Sequence, residues 1–136
     1  MLNENEVIEA VCGHLQSEGY EILQRCSTTE QGTDIIAKRP NQAGRLLIEA
    51  KGGTSAREGS PRYKKGFSRS QVFDRVAKAF YTAACMSSEA HGEDTVALAL
   101  PDTMQFREFV ARMKAAVDAL QIRIYLVKGN RFVVAL

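Results

Sequence analysis

Cysteine is scarce and poorly placed for cross-linking. Cys12, Cys26 and Cys85 are the whole complement of the 136 residues. An odd, widely spaced set without Cys-x-x-Cys argues against a disulfide framework or a zinc site. A reducing cytoplasm is the compartment such usage predicts. Histidine is limited to His14 and His91, neither with a partner at metal-ligand spacing. No apolar run approaches the ~18 residues of a membrane span, so no membrane association is expected. The opening Met1-Leu2-Asn3-Glu4-Asn5-Glu6 is polar and acidic, whereas a secretory signal opens basic and runs apolar. Internal repeats and low-complexity tracts are absent. The composition that remains, 45% hydrophobic and 25% charged, is ordinarily globular and excludes disorder, collagen or coiled coil for the bulk of the protein. The length predicts a single domain, 1–136, which can bury roughly two-thirds of its unfolded surface without disulfides or a structural metal.

The net charge of +2 hides an uneven distribution. Residues 1–35 carry seven acids against one base, Arg25. Residues 38–69 carry nine bases (Lys38, Arg39, Arg45, Lys51, Arg57, Arg62, Lys64, Lys65, Arg69) against Glu49 and Glu58. A local basic field of this kind attracts a polyanion even when the whole molecule is nearly neutral. A solvated loop whose lysines only maintain solubility has the same composition.

Periodicity orders the sequence. Asn3 can cap a first helix, with Glu6 three residues on as in a capping box. Val7, Ile8, Val11, Cys12 and Leu15 make its apolar stripe, and Gly19 ends it. Strands are predicted over Tyr20 to Cys26, Asp34 to Ala37 and Leu46 to Lys51, the last apolar on both faces and therefore central. Pro40 to Gly44 is turn chemistry between the second and third. The glycine-rich stretch 52–69 has no apolar periodicity and reads as a long loop of the kind that often carries function. A second helix is expected from about Ser70 to Met86, on the stripe Val72, Phe73, Val76, Ala77, Phe80, Ala83 and Ala84. Then come a strand over Thr95 to Leu100, a helix bearing Phe106, Phe109, Val110, Met113, Val117 and Leu120, and two strands over Ile122 to Val127 and Phe132 to Leu136. Gly129-Asn130 suits a tight hairpin between these last two. The order predicts an α/β sandwich, a mixed sheet with helices on its faces.

Charge on buried strands marks the candidate chemistry. Asp34 opens the second strand. Glu49 and Lys51 lie two apart in the third and so share a face, with Leu46, Ile48 and Ala50 on the other. Ionised groups on a central strand cost several kcal/mol unless paired or metal-bound. The Pro40 to Gly44 hairpin brings Asp34 close to Glu49, and two neighbouring carboxylates raise one pKa unless a cation lies between them. Two carboxylates and a lysine form an oxygen-rich site suited to Mg²⁺ or Mn²⁺. Such an ion polarises a phosphodiester and acidifies water, while Lys51 can orient that water or steady charge developing on the phosphoryl oxygens. A bare Glu-x-Lys is common. The strand context on both sides, with Asp34 fifteen residues earlier across a hairpin turn, is what makes this one informative.

Gly32-Thr33-Asp34-Ile35-Ile36-Ala37 followed by Leu47-Ile48-Glu49-Ala50-Lys51-Gly52 resembles the signature of the PD-(D/E)XK nuclease superfamily, among its small restriction-endonuclease-like and Holliday-junction-resolvase-like members. Thr33 stands where the motif has proline. The resemblance covers about residues 3–100 and implies a restriction-endonuclease-like αβββαβ core, with the C-terminal helix and hairpin (about 102–136) appended. It implies Asp34, Glu49 and the Ala50 carbonyl as metal ligands and Lys51 as the catalytic lysine. Many members carry a further acid on the first helix. By helical phase Glu4 points inward and is preferred, with Glu9 next by family spacing and Glu6 better used in capping. Gln71, at the start of the second helix, falls where the family often places a glutamine near the metal.

On a helical wheel Gln71, Arg75 and Lys78 share a polar face able to line a nucleic-acid groove. Arg57, Arg62, Lys64, Lys65 and Arg69 would supply backbone-phosphate contacts. Tyr63 and Phe67 can stack on bases or anchor the loop. The expected function is therefore a Mg²⁺- or Mn²⁺-dependent endonuclease acting on DNA. The alternative is a non-cleaving nucleic-acid-binding or partner-binding module of the same fold in a repair or defence complex. Two cuts across a duplex need two sites, and a homodimer is compatible with that need, although no interface is legible.

Overall fold

A computed structural model of the protein describes residues 1–26, 32–55, 59 and 65–136. The elements run α1 (Glu4–Ser17), β1 (Glu21–Arg25), β2 (Ile35–Lys38), β3 (Leu46–Ala50), α2 (Arg69–Glu89), β4 (Thr95–Pro101), α3 (Met104–Ala119), β5 (Arg123–Val127) and β6 (Val133–Ala135). The strands form a single six-stranded sheet in sequence order, β1-β2-β3-β4-β5-β6. β1, β2 and β3 are antiparallel neighbours, β3–β4 and β4–β5 are parallel, and β6 returns antiparallel to β5. The two parallel steps need crossovers, which α2 and α3 provide.

The helices divide between the faces. Val7, Ile8, Val11, Cys12 and Leu15 of α1 are all buried against Ile35, Ala37, Ile48, Ala50, Ala97, Ala99, Tyr125 and Val127. Val72, Val76, Ala79 and Ala83 of α2, with Phe106, Val110 and Val117 of α3, cover Val96, Leu98, Leu100, Ile124 and Leu126 on the opposite face. The period-two alternation of the strands thus makes two cores from one sheet. It sends Leu47 and Glu49 of β3 to the α2 side.

The caps follow local chemistry. Gly19, at φ +90°, closes α1 with Tyr20 N–H donating to Leu15 C=O and Gly19 N–H to Gln16 C=O, a Schellman arrangement. Asn3 Oδ1 accepts the Glu6 N–H at 2.9 Å. The second half of the expected capping box gives way to an ion pair, because the Glu6 carboxylate turns outward to Arg131, 3.6 Å away.

Two further expectations need correction. In α2, Phe73 is 54% exposed and Ala77 is exposed, while Ala79 is fully buried. The stripe that packs is Val72–Val76–Ala79–Ala83, whose small residues suit close approach to the sheet. Phe73 instead meets Phe109 edge-on, with ring centroids 5.7 Å apart. In the β5–β6 hairpin the left-handed residue is Arg131 (φ 70°) rather than Gly129 or Asn130. Lys128 N–H donates to Phe132 C=O and Arg131 N–H to Lys128 C=O, which makes a three-residue loop.

Candidate active site

Asp34 is the last residue before β2 and is 9% exposed. Its backbone C=O accepts the Cys26 N–H at 2.9 Å, and its Oδ2 accepts the Ala50 N–H at 2.8 Å. One residue thereby ties the β1 side of the sheet to the end of β3. Glu49, one residue back along β3, is 8% exposed, and its Oε1 lies 3.0 Å from Lys51 Nζ. The hairpin turn expected between the strands is present, with Asn41 and Gly44 left-handed at φ 66° and 81°. The register that follows, Ile35 opposite Ile48, brings Asp34 alongside Glu49.

Glu4 reaches the same cluster from the first turn of α1, round the end of the sheet. Contact of two glycines with the N-terminal residues puts it there. Gly53 N–H donates to Leu2 C=O at 2.8 Å, and Asn3 bridges to Thr54 in parallel fashion. At Gly52 any Cβ would stand 2.3 Å from the Glu4 backbone nitrogen, so only glycine lets α1 seat this close. The sequence marks the 52–53 pair as loop glycines, but nothing in it signals this packing.

The electrostatics follow from the crowding. Burial pushes the Asp34 carboxyl up to about 7; the Ala50 hydrogen bond and the Lys51 charge oppose this, and the charges of Glu49 and Glu4 reinforce it. Glu4 is also raised, first by burial and further by Glu49, with Lys51 and Arg75 opposing. Asp34, Glu49 and Glu4 therefore sense one another, with Lys51 and Arg75 as the cations that answer them. Arg75 is further fixed by its guanidinium, 4.8 Å from the Phe67 ring centroid.

The remaining candidates separate. Glu9 lies on the other side of α1, its carboxylate 3.3 Å from Arg131. Gln71 Oε1 accepts the Ser68 N–H at 2.8 Å and so completes a capping box with the Ser68 hydroxyl. This is a helix-capping role that the Ser68-Arg69-Ser70-Gln71 pattern itself encodes. Arg69 makes a bidentate pair with Glu108 at 2.6 Å and stacks over Phe109, so its charge is answered within the fold. Phe67 packs against the α2–α3 core. Lys65 and Lys78 are exposed. Arg57, Arg62, Tyr63 and Lys64 lie outside the described residues.

The donor set of Asp34, Glu49, Glu4 and the Ala50 carbonyl is all hard oxygen, the chemistry that Mg²⁺ or Mn²⁺ prefers. Buried carboxylates that raise one another's pKa are relieved by a divalent cation. Among the described residues, however, no three His, Cys, Asp or Glu side groups already stand as a metal cage. One Asp34 oxygen is held by Ala50, and one Glu49 oxygen is held by Lys51. The residues present fit such an ion by donor type, and Glu49 would have to share its carboxylate between the ion and Lys51. Among the described residues no helix is long and apolar enough to cross a membrane.

No family model matches the sequence, and no curated protein matches it. Among solved structures, SfsA from Pyrococcus furiosus in complex with Ca²⁺ aligns over 97% of this protein and 58% of its own length, at 13% identity and a TM-score of 0.36, too low to bear on the fold. An XisH family protein from Nostoc punctiforme aligns over 96% of this protein and 95% of its own length, at 14% identity and a TM-score of 0.53. With the strand order and the divided helices, this similarity makes the fold restriction-endonuclease-like.

Proposed function

We propose that the protein is a PD-(D/E)XK-type, divalent-metal-dependent endonuclease that hydrolyses phosphodiester bonds of DNA. The observation that carries this reading is the pairing at the end of β3, Asp34 on the Ala50 N–H and Glu49 on Lys51, with Glu4 near enough to feel the charges of Glu49 and Lys51. A purely structural strand end has little reason to hold two buried carboxylates side by side, since each costs free energy there.

Asp34, Glu49 and the Ala50 carbonyl would hold Mg²⁺ or Mn²⁺. The chemistry such an ion supplies is polarisation of the phosphodiester and acidification of water. Lys51, moving from Glu49, places its ammonium against the phosphoryl oxygens where negative charge builds. Glu4, whose carboxyl is raised by burial, can accept a proton at the helix end. Lys65, Arg75 and Lys78 would steer and hold the phosphate backbone without reading sequence.

The test is a cleavage assay on duplex, flap, junction and single-stranded DNA with Mg²⁺, Mn²⁺ or chelator. Metal-dependent cleavage that Asp34→Ala or Lys51→Ala abolishes is expected, with far-UV circular dichroism unchanged. Full activity in both purified variants would overturn the assignment.

Two observations favour a second reading. Lys51 is already paired with Glu49, and Gln71 is spent on the α2 cap, as suits a module of this fold that binds nucleic acid without cutting it. Saturable DNA binding with no cleavage under any metal would select that reading.

A further inference from the structure

At the opposite end of the sheet, four basic residues from three segments converge on one pocket. Lys38 ends β2, Arg39 opens the following turn, Arg45 precedes β3 and Arg123 starts β5. With Tyr20 and Glu93 they line a cavity of about 280 Å³. Lys38 stands four residue steps along β2 from Asp34, so the pocket lies roughly 13 Å along the strand from the acid cluster.

The bases are held by the fold, and mostly without carboxylates. Lys38 Nζ donates to the Gln42 and Gly44 carbonyls at 3.1 and 3.4 Å. Arg39 Nε donates to the Glu18 carbonyl at 3.1 Å, and its guanidinium lies 4.4 Å from the Tyr20 ring centroid. Arg123 Nη1 lies 3.4 Å from the Tyr20 hydroxyl. Among the described residues Arg45 is the one of the four in an ion pair, with Asp94 at 3.0 Å. Among the described residues Lys38, Arg39 and Arg123 enter no ion pair within 4.0 Å. Acids stand nearby as well: Glu93 in the pocket wall, Glu21 as the register partner of Lys38, and Glu18, whose carbonyl takes the Arg39 bond.

The wall is rigid as well. Gly44 packs so tightly on the backbone at Glu93 that a Cβ would stand 2.2 Å from the Glu93 carbonyl oxygen. A neutral structural role would need one cation here, matched by one acid. Three cations outside any ion pair among the described residues, set around a small polar cavity and fixed by carbonyls and an aromatic ring, form a preorganised receptor for a compact oxyanion.

The geometry points to this pocket as a second anion site that takes a phosphate monoester dianion, supplied either by a free small molecule or by the terminal phosphate of a nucleic-acid strand. Guanidinium groups at Arg39 and Arg123 suit the planar, multiple hydrogen bonding of phosphate oxygens, and Lys38 adds a point charge. The proposal is independent of cleavage at the other end of the sheet, since it uses none of the same residues.

The test follows backbone amide shifts of the full-length protein on titration with inorganic phosphate. A second titration uses a short single-stranded oligonucleotide with and without a 5′-phosphate. Saturable shifts centred on residues 38–45 and 123 are expected with phosphate. A preference of about tenfold or more for the 5′-phosphorylated strand, competed by phosphate, assigns the source to strand ends; equal affinity of the two strands, with phosphate still binding, assigns it to small molecules. Arg123→Gln, at an exposed position, should weaken phosphate binding about five- to tenfold, and Arg39→Gln/Arg123→Gln should abolish it, whereas Lys114→Gln, on α3 and outside both sites, leaves it unchanged. The absence of saturable shifts, or affinity unchanged in Arg123→Gln, overturns the proposal.

Discussion

The Asp34 carboxylate extends the β2–β3 ladder by one bond. Where β2 has no further backbone partner to offer, Oδ2 receives the Ala50 N–H at 2.8 Å. The same group is pushed up to about 7, principally by burial, so its hydrogen-bonding task and its charge are opposed.

That opposition sets a pH dependence. Below about pH 4 the carboxyl is protonated in the folded and the unfolded states alike. Between about 4 and 7 only the folded protein holds the proton, so unfolding free energy falls as pH rises, by an amount on the order of 4 kcal/mol for a shift this large. Asp34→Asn keeps an oxygen for the Ala50 N–H and removes the titration. Urea unfolding in chelator should show wild type losing stability between pH 4.5 and 7.5 relative to the variant. Parallel profiles would show that Asp34 ionises in the folded protein as it does in the unfolded one.

Gly52→Ala should displace α1. The added methyl meets backbone atoms of Asn3 and Glu4, which cannot rotate away. A cost of about 1–3 kcal/mol in chemical denaturation is expected. Cleavage should fall with it in protein that remains folded at the assay temperature, because Glu4 moves with the helix. A stable, fully active variant would mean that Glu4 takes no part.

The three helix glutamates should separate in single-turnover cleavage. Glu4→Gln should slow the reaction more than it weakens DNA affinity. Glu6→Gln and Glu9→Gln each touch only the exposed Arg131 pairing, and should leave the rate near wild type with stability changes within about 0.5 kcal/mol. By contrast Asn3→Ala, which removes the α1 cap, should cost about 1 kcal/mol. A rate loss confined to Glu9→Gln would show that family spacing outranks helical phase.

Lys65→Ala/Lys78→Ala should weaken DNA binding about equally for all sequences and flatten its salt dependence by roughly one to two units of slope. Arg69→Ala should change the slope little, because Arg69 is already answered by Glu108. Fluorescence anisotropy across a salt series measures both, and an unchanged slope in the double lysine variant would remove these residues from the interface.

Much of this architecture is legible from local pattern. Val7, Ile8, Val11, Cys12 and Leu15 fall on one helical face and are all buried, because a 3.6-residue period admits a single packing solution. Asp34 and Glu49 stand out because charge on an apolar strand contradicts its surroundings. The errors arise where hydrophobicity and burial part company. In α2 the expected stripe is drawn one position off, with Phe73 and Ala77 in it, whereas the buried face runs Val72–Val76–Ala79–Ala83. Pairings across distance leave no local trace: Arg69 with Glu108 and Arg131 with Glu6 and Glu9 depend on how α3 and the last hairpin dock. The α2 cap is the reverse case, since Ser68-x-x-Gln71 is visible in the sequence and outweighed only by the pull of a family position.

The sequential order of the sheet has a bearing on how the protein is made. Glu4, Asp34, Glu49 and Lys51 all fall within the first 51 residues, and α1 with β1, β2 and β3 leaves the ribosome before β4 exists. At synthesis rates of about 5–20 residues per second, β3 therefore spends some seconds as the open rim of a growing sheet, with Leu46, Leu47 and Ile48 beside unpaired backbone groups. Such a rim recruits stray strands, and charged residues along it are a known deterrent. Glu49 and Lys51 sit at that rim during the vulnerable interval. A variant neutral at both positions should therefore be harder to express than to unfold, which soluble yield set against urea unfolding would measure.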